Sequence, residues 1–114
     1  MTSKSKFFAL KRNATTGFIG FMPVEGYLCV IGNMRCGVYQ TYSTLNGERR
    51  KIWYLIELES GLSFASGESR KKAVENATQK FKALHYTLIV NRLQDSIEKY
   101  GKSPMYQEGF EMDA

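Results

Sequence analysis

The spacing of apolar positions changes once along this chain. From Lys6 to Glu59 apolar and polar residues recur mainly with a period of two, interrupted by turn residues. From Ala73 to Leu88 the spacing lengthens to three and four. The first half therefore reads as strands and the second as helix.

Lys6–Arg12 suits a first strand, and Asn13, Thr15, Thr16 and Gly17 supply turn residues after it. Phe18–Met22 reads as the returning strand. Pro23 ends it or marks a sheet edge, because proline cannot donate to a ladder. Tyr27–Ile31 is the next strand, and Gly32-Asn33 predicts a two-residue turn that sets Ile31 opposite Met34, Val30 opposite Arg35 and Cys29 opposite Cys36. Asn46-Gly47 is the stronger hairpin signal. It pairs Leu45 with Glu48, Tyr42 with Lys51, Tyr39 with Tyr54 and Val38 with Leu55.

On the strand that follows, Ile52, Tyr54, Ile56 and Leu58 share one face, which reads as core. Lys51, Trp53, Leu55 and Glu57 share the other, which reads as mixed and partly wet. Leu62–Ala65 predicts a short extra strand. A helix then begins near Gly67 with Ser66 or Ser69 as its cap. Ala73, Ala77, Phe81, Leu84 and Leu88 make its apolar stripe, and the two alanines allow close approach to strands. Residues 86–91 are β-branched enough to place a kink or short break there. Gly101 stops the helix, with Pro104 shortly after.

The predicted architecture is α+β: a hairpin-rich antiparallel sheet of three to five strands, then a long, kinked C-terminal helix packed on one face. Residues 1–101 read as a single domain and 102–114 as a flexible tail, in which Met105, Tyr106 and Phe110 are able to pack back. No run reaches the ~18–20 apolar residues of a membrane span. The N-terminal apolar patch is broken by Lys11 and Arg12, so export is not expected and a cytoplasmic location is.

Candidate chemistry is sparse. His85 is the only histidine, beside the apolar stripe and without a neighbouring acid in sequence. Cys29 and Cys36 read as small buried side chains, too few for a closed zinc site. Glu57 and Glu59 are spaced to share a metal but read more simply as a solvated strand end. The glycines lack the phosphate-loop pattern. No enzyme, cofactor or metal is expected.

Charge changes this picture. The net charge is +5, and it is uneven: residues 1–72 hold 11 Lys/Arg against 5 Asp/Glu, whereas 73–114 hold 5 against 6. Arg49, Arg50 and Lys51 follow the Asn46-Gly47 turn. Arg70, Lys71 and Lys72 occupy the start of the helix, the end its dipole makes least favourable for cations. Lys4, Lys6, Lys11 and Arg12 form a third group. A hairpin tip and a helix start carrying cations can straddle phosphates. This order of strands, loop and helix start is similar to that of duplex-RNA-binding domains, which begin with a helix that has no counterpart here. The expected function is thus a small non-enzymatic protein contacting nucleic-acid phosphates through Arg49, Arg50, Lys51, Arg70, Lys71 and Lys72. The alternative is a protein-interaction or regulatory module, with Trp53 and Leu55 anchoring a homodimer.

Overall fold

A computed structural model describes residues 4–13, 15–84 and 86–107. Five strands form one antiparallel sheet in sequence order: β1 (Ser5–Arg12), β2 (Ile19–Ile31), β3 (Met34–Leu45), β4 (Glu48–Glu57) and β5 (Ser63–Gly67). Two helices follow, α1 (Arg70–Ala83) and α2 (Tyr86–Tyr100), and then a 3-10 turn at Pro104–Tyr106. This is the α+β class that the pattern predicts, with the full five strands. No helix among the described residues is long and apolar enough to cross a membrane.

The two turn dipeptides set the registers. Asn46 and Gly47 both have positive φ (53° and 79°), as the tight turn between right-twisted strands requires. Every pair expected across it and across Gly32-Asn33 is present.

Pro23, however, does not end a strand. β2 runs straight through it for 13 residues. The Leu10 amide turns away from β2 and donates to the Gly61 carbonyl (2.9 Å). Leu10 and its partner Phe21 therefore exchange no hydrogen bonds, and neither do Phe8 and Pro23 two rungs along. The missing N–H of Pro23 faces the unpaired side of β2, where it costs the ladder nothing.

β2 changes partner midway. It pairs with β1 up to Gly26 and with β3 from Gly26 onward. At that crossing a Cβ would run into the Val38 carbonyl oxygen, so only glycine fits. The bend folds the first hairpin across the sheet face opposite α1. Phe7 and Ala9 are fully buried there with Tyr39, Ile56 and Leu58, and the Phe7 ring lies directly over Gly37.

The other face carries the larger core. Ile31, Met34, Cys36, Val38 and Leu55 pack against Ala73 and Ala77 of α1 and Ile89 and Leu93 of α2. The expectation for β4 is therefore corrected: the Leu55 face is as buried as the Ile56 face, with both side chains at 0% exposure. Apolar residues on both sides of one strand signal cover on both sides. Here α1 supplies one cover and the first hairpin the other.

Ser69 caps α1, its hydroxyl accepting from the Lys72 amide (3.0 Å). The helix breaks at Leu84, which is extended (φ −89°, ψ 143°), and residues 86–90 begin α2. The break thus precedes the predicted one. Gly101 ends α2, its amide donating to the Ile97 carbonyl. Of the segment read as a tail, 102–107 folds back on the sheet. Ser103 is fully buried, its amide donates to Glu59 (2.8 Å), and Met105 packs against the Phe7 core. Phe110 lies outside the described residues.

The exposed edge of β5 is covered from α1. Asn76 Nδ2 donates to the Ser66 carbonyl and Lys80 Nζ to the Phe64 carbonyl, both at 2.8 Å. Side chains here occupy acceptors that a second strand would otherwise use.

Candidate nucleic-acid interface

The surface in question follows from where the sheet stops being covered. β2 leaves β3 at Tyr39, and β5 ends opposite Trp53. Beyond the Gln40–Trp53 pair, β3 and β4 continue alone for five more rungs, a two-stranded arm about 17 Å long. A bare two-stranded ribbon is marginal on its own, so this arm gains little for the fold.

Alternation decides which of its side chains share the α1 face. Gln40, Tyr42 and Thr44 on β3 lie opposite Trp53, Lys51 and Arg49 on β4. Tyr42 is 53% exposed, and the Arg49 guanidinium lies 4.0 Å from its ring centroid, with Lys51 Nζ at 5.9 Å. Arg50 points to the opposite face, where Glu48 holds it at 3.0 Å. The Arg49–Lys51 triplet is therefore divided: two cations stand on the α1 face and one is neutralised behind it.

The helix start meets the same face. α1 runs from the Tyr27–Trp53 end of the sheet toward the Gly32 turn, which sits beneath Phe81. Its first residue, Arg70, stacks over Tyr27 with the guanidinium 4.1 Å from the ring centroid. Tyr27 in turn lies 6.3 Å from Trp53. Lys71 is exposed and lines a shallow groove of about 380 Å³ with Cys29, Val74 and Glu75. Lys72 makes a loose contact with Glu75 at 4.0 Å. Among the described residues, Arg49, Lys51, Arg70 and Lys71 are paired with no carboxylate. The result is one strip, Arg70–Tyr27–Trp53–Gln40–Tyr42–Lys51–Arg49, running from the helix start to the arm.

Other candidates fall elsewhere. Lys6, Lys11 and Arg12 are on β1, in the layer on the far side of the sheet, and Lys11 reaches the Tyr39 ring. Leu55 lies fully buried beneath α1 and is not available to a partner in the folded chain; Trp53 is half-buried at the strip. Glu57 is buried and folded onto its own turn, accepting from the amides of Glu59 and Ser60. Glu59 pairs with Lys102 at 3.1 Å. The described residues contain no group of three or more potential metal ligands. Cys29 and Cys36 are free thiols facing one another across β2 and β3. Burial pushes the Cys36 thiol up to about 12 and also raises that of Cys29, so neither is poised as a nucleophile. His85 lies outside the described residues.

Sequence reasoning misses the tyrosines' partners. It pairs Tyr39 with Tyr54 and Tyr42 with Lys51 across the hairpin without showing what covers either pair. Tyr39 and Tyr54 belong to the Phe7 core and to its rim, with centroids 6.0 Å apart. Tyr27, which has no role assigned by the sequence, is the one beneath Arg70. Compared with protein-family models, curated proteins and solved structures, the chain matches none.

Proposed function

We propose that this chain is a small non-enzymatic binding protein that contacts nucleic-acid phosphates through the two-stranded arm and the start of α1. The observation that carries the reading is the strip itself. Its three cations, Arg49, Lys51 and Arg70, have no carboxylate partner among the described residues and share one sheet face with exposed or half-exposed aromatic rings, and Lys71, likewise unpaired among those residues, stands beside Arg70. Cations at a helix N-terminus oppose the dipole by roughly 0.3–1 kcal/mol each, and an uncovered ribbon adds no core. A local rule broken without gain to the fold is a mark of function. A polyanion supplies the missing counter-charge, and the chain's net +5 favours the encounter.

The contributions are unequal. Arg49, Lys51, Arg70 and Lys71 make the contacts, Lys72 adds to the field at the helix start, and Arg50 contributes least because Glu48 already holds it. Fluorescence anisotropy of labelled oligonucleotides at several salt concentrations tests this. Affinity should fall steeply with salt. Replacing Arg49 and Lys51 together by alanine should flatten the slope of log K against log salt by about 0.7–0.9 for each phosphate no longer neutralised. Arg50→Ala should change it least. Absence of salt-dependent binding to any nucleic acid at low ionic strength would overturn the proposal.

A further inference from the structure

The strip has a property that phosphate contact alone does not call for. Two of its cations are guanidinium groups centred over tyrosine rings, Arg49 over Tyr42 at 4.0 Å and Arg70 over Tyr27 at 4.1 Å from the ring centroid. The lysine–ring contacts of the molecule are looser, at 5.3–5.9 Å. Holding a guanidinium this close over a ring restricts its orientation, which a point-charge contact to phosphate does not need. It does present the outer face of the guanidinium as a planar platform. Tyr27 lies across from Val38, and Tyr42 is four residues further along β3 on the same face. The two Tyr–Arg stacks are therefore separated by about 14 Å along the strand. The half-exposed Trp53 ring lies between them.

Resting on the nucleic-acid reading above, we propose that the occupant of this strip is a single-stranded nucleic acid whose unpaired bases stack on the guanidinium planes of Arg49 and Arg70. Bases stacked within a duplex present only their edges to a protein, whereas unpaired bases offer their faces to aromatic rings and arginine planes. Lys51 and Lys71, beside each stack, meet the phosphates. Tyr42 and Tyr27 are positioning residues: each acts through the arginine it orients. Stacking on a guanidinium plane accepts the face of any base, so this contact is tolerant of sequence.

The test compares a ~15-nucleotide oligothymidylate and its ribo-equivalent with a duplex of the same length by anisotropy. The single strand, in whichever sugar is held more tightly, should bind at least about tenfold better than the duplex. Arg49→Lys with Arg70→Lys keeps every charge but removes both planes. That variant should lose about 10- to 100-fold in single-strand affinity while the salt slope stays unchanged. Tyr42→Leu should lose part of this affinity and Tyr42→Phe should keep it, since phenylalanine still carries the guanidinium. All of these positions are at the surface, and circular dichroism checks that each variant is folded. If wild type binds duplex as well as single strands, or the lysine variant binds like wild type, the stacking inference is overturned and phosphate contact stands. If wild type binds no nucleic acid at low salt, both fall.

Discussion

Phe7 and Gly37 offer the sharpest check on how the sheet is closed. Phe7 is the largest fully buried side chain of the second core, edge-on to Tyr39 at 6.3 Å and 70°. Truncation to alanine removes its transfer free energy and leaves a void, about 3–5 kcal/mol in comparable cores. Against the roughly 5–15 kcal/mol that holds a domain of this size together, that is a severe loss. With a urea m-value near 1.5–2 kcal/mol/M, the midpoint should fall by about 1.5–3 M.

Gly37→Ala perturbs the same contact from the other side. Its new methyl would lie 2.7 Å from the Phe7 ring, well inside the ~3.5–4.0 Å optimum for carbon pairs. Overpacking of this kind costs about 1–3 kcal/mol. In the Phe7→Ala background the ring is gone, and the methyl enters vacated space. There Gly37→Ala should be neutral or stabilising, because alanine also lowers the entropy of the unfolded chain by about 0.4–1 kcal/mol. The double-mutant cycle should therefore show a coupling of at least about 1 kcal/mol. Additivity within about 0.5 kcal/mol, or a Phe7→Ala cost below about 1 kcal/mol, would refute the reading of the first hairpin as a lid on a closed core.

Two further outcomes follow from the same geometry. Gly26→Ala drives a methyl into the Val38 backbone carbonyl, which cannot rotate aside, so it should cost more than about 2 kcal/mol by urea titration; Gly20→Ala, with nothing within 4 Å, should not. Stability should also decline in alkali. Burial raises the folded-state pKa of Cys36 from 9.0 to about 12 and of Tyr39 from 10.0 to about 12. The unfolded chain releases those protons first, so their contribution is intact below pH 9 and is lost as pH rises toward 12. Urea midpoints across that window should fall less steeply in Tyr39→Phe than in wild type, and an identical decline would show that Tyr39 carries no such linkage.

Strand registers are the most legible feature of the chain, for a physical reason. Asn46-Gly47 and Gly32-Asn33 each permit essentially one tight turn, and a two-residue turn leaves no freedom in the pairing beyond it. Closure of the sheet is not legible. It depends on the side chains that Gly26 and Gly37 lack, and in a sequence a glycine within a strand reads only as a weak point. Of the two readings of Pro23, the strand end fails and the edge holds, because proline is excluded only from the side of a strand that donates to a ladder, and that side of β2 is unpaired at Pro23. Leu55 misleads because burial on both faces of β4 erases the alternation that usually tells core from water. At the candidate site the charges are plain, but their arrangement is not. The opposite pointing of Arg50 is implicit in the hairpin register, whereas Arg70 on Tyr27 joins residues 43 positions apart and needs the helix to be docked.

That every strand pairs only with its neighbour in sequence also bears on how the chain assembles. Hairpins of this kind form in about 1–10 μs and need no distant partner. The exception is the bond from Leu10 to Gly61, which brings together residues 51 apart. Closing a flexible loop of that length costs about 3–4 kcal/mol in chain entropy. Assembly therefore runs from local ribbons to a late seam, and the Phe7 core forms only when that seam shuts. Changes in this core should then act mainly by speeding unfolding, leaving the folding limb of the chevron nearly unmoved.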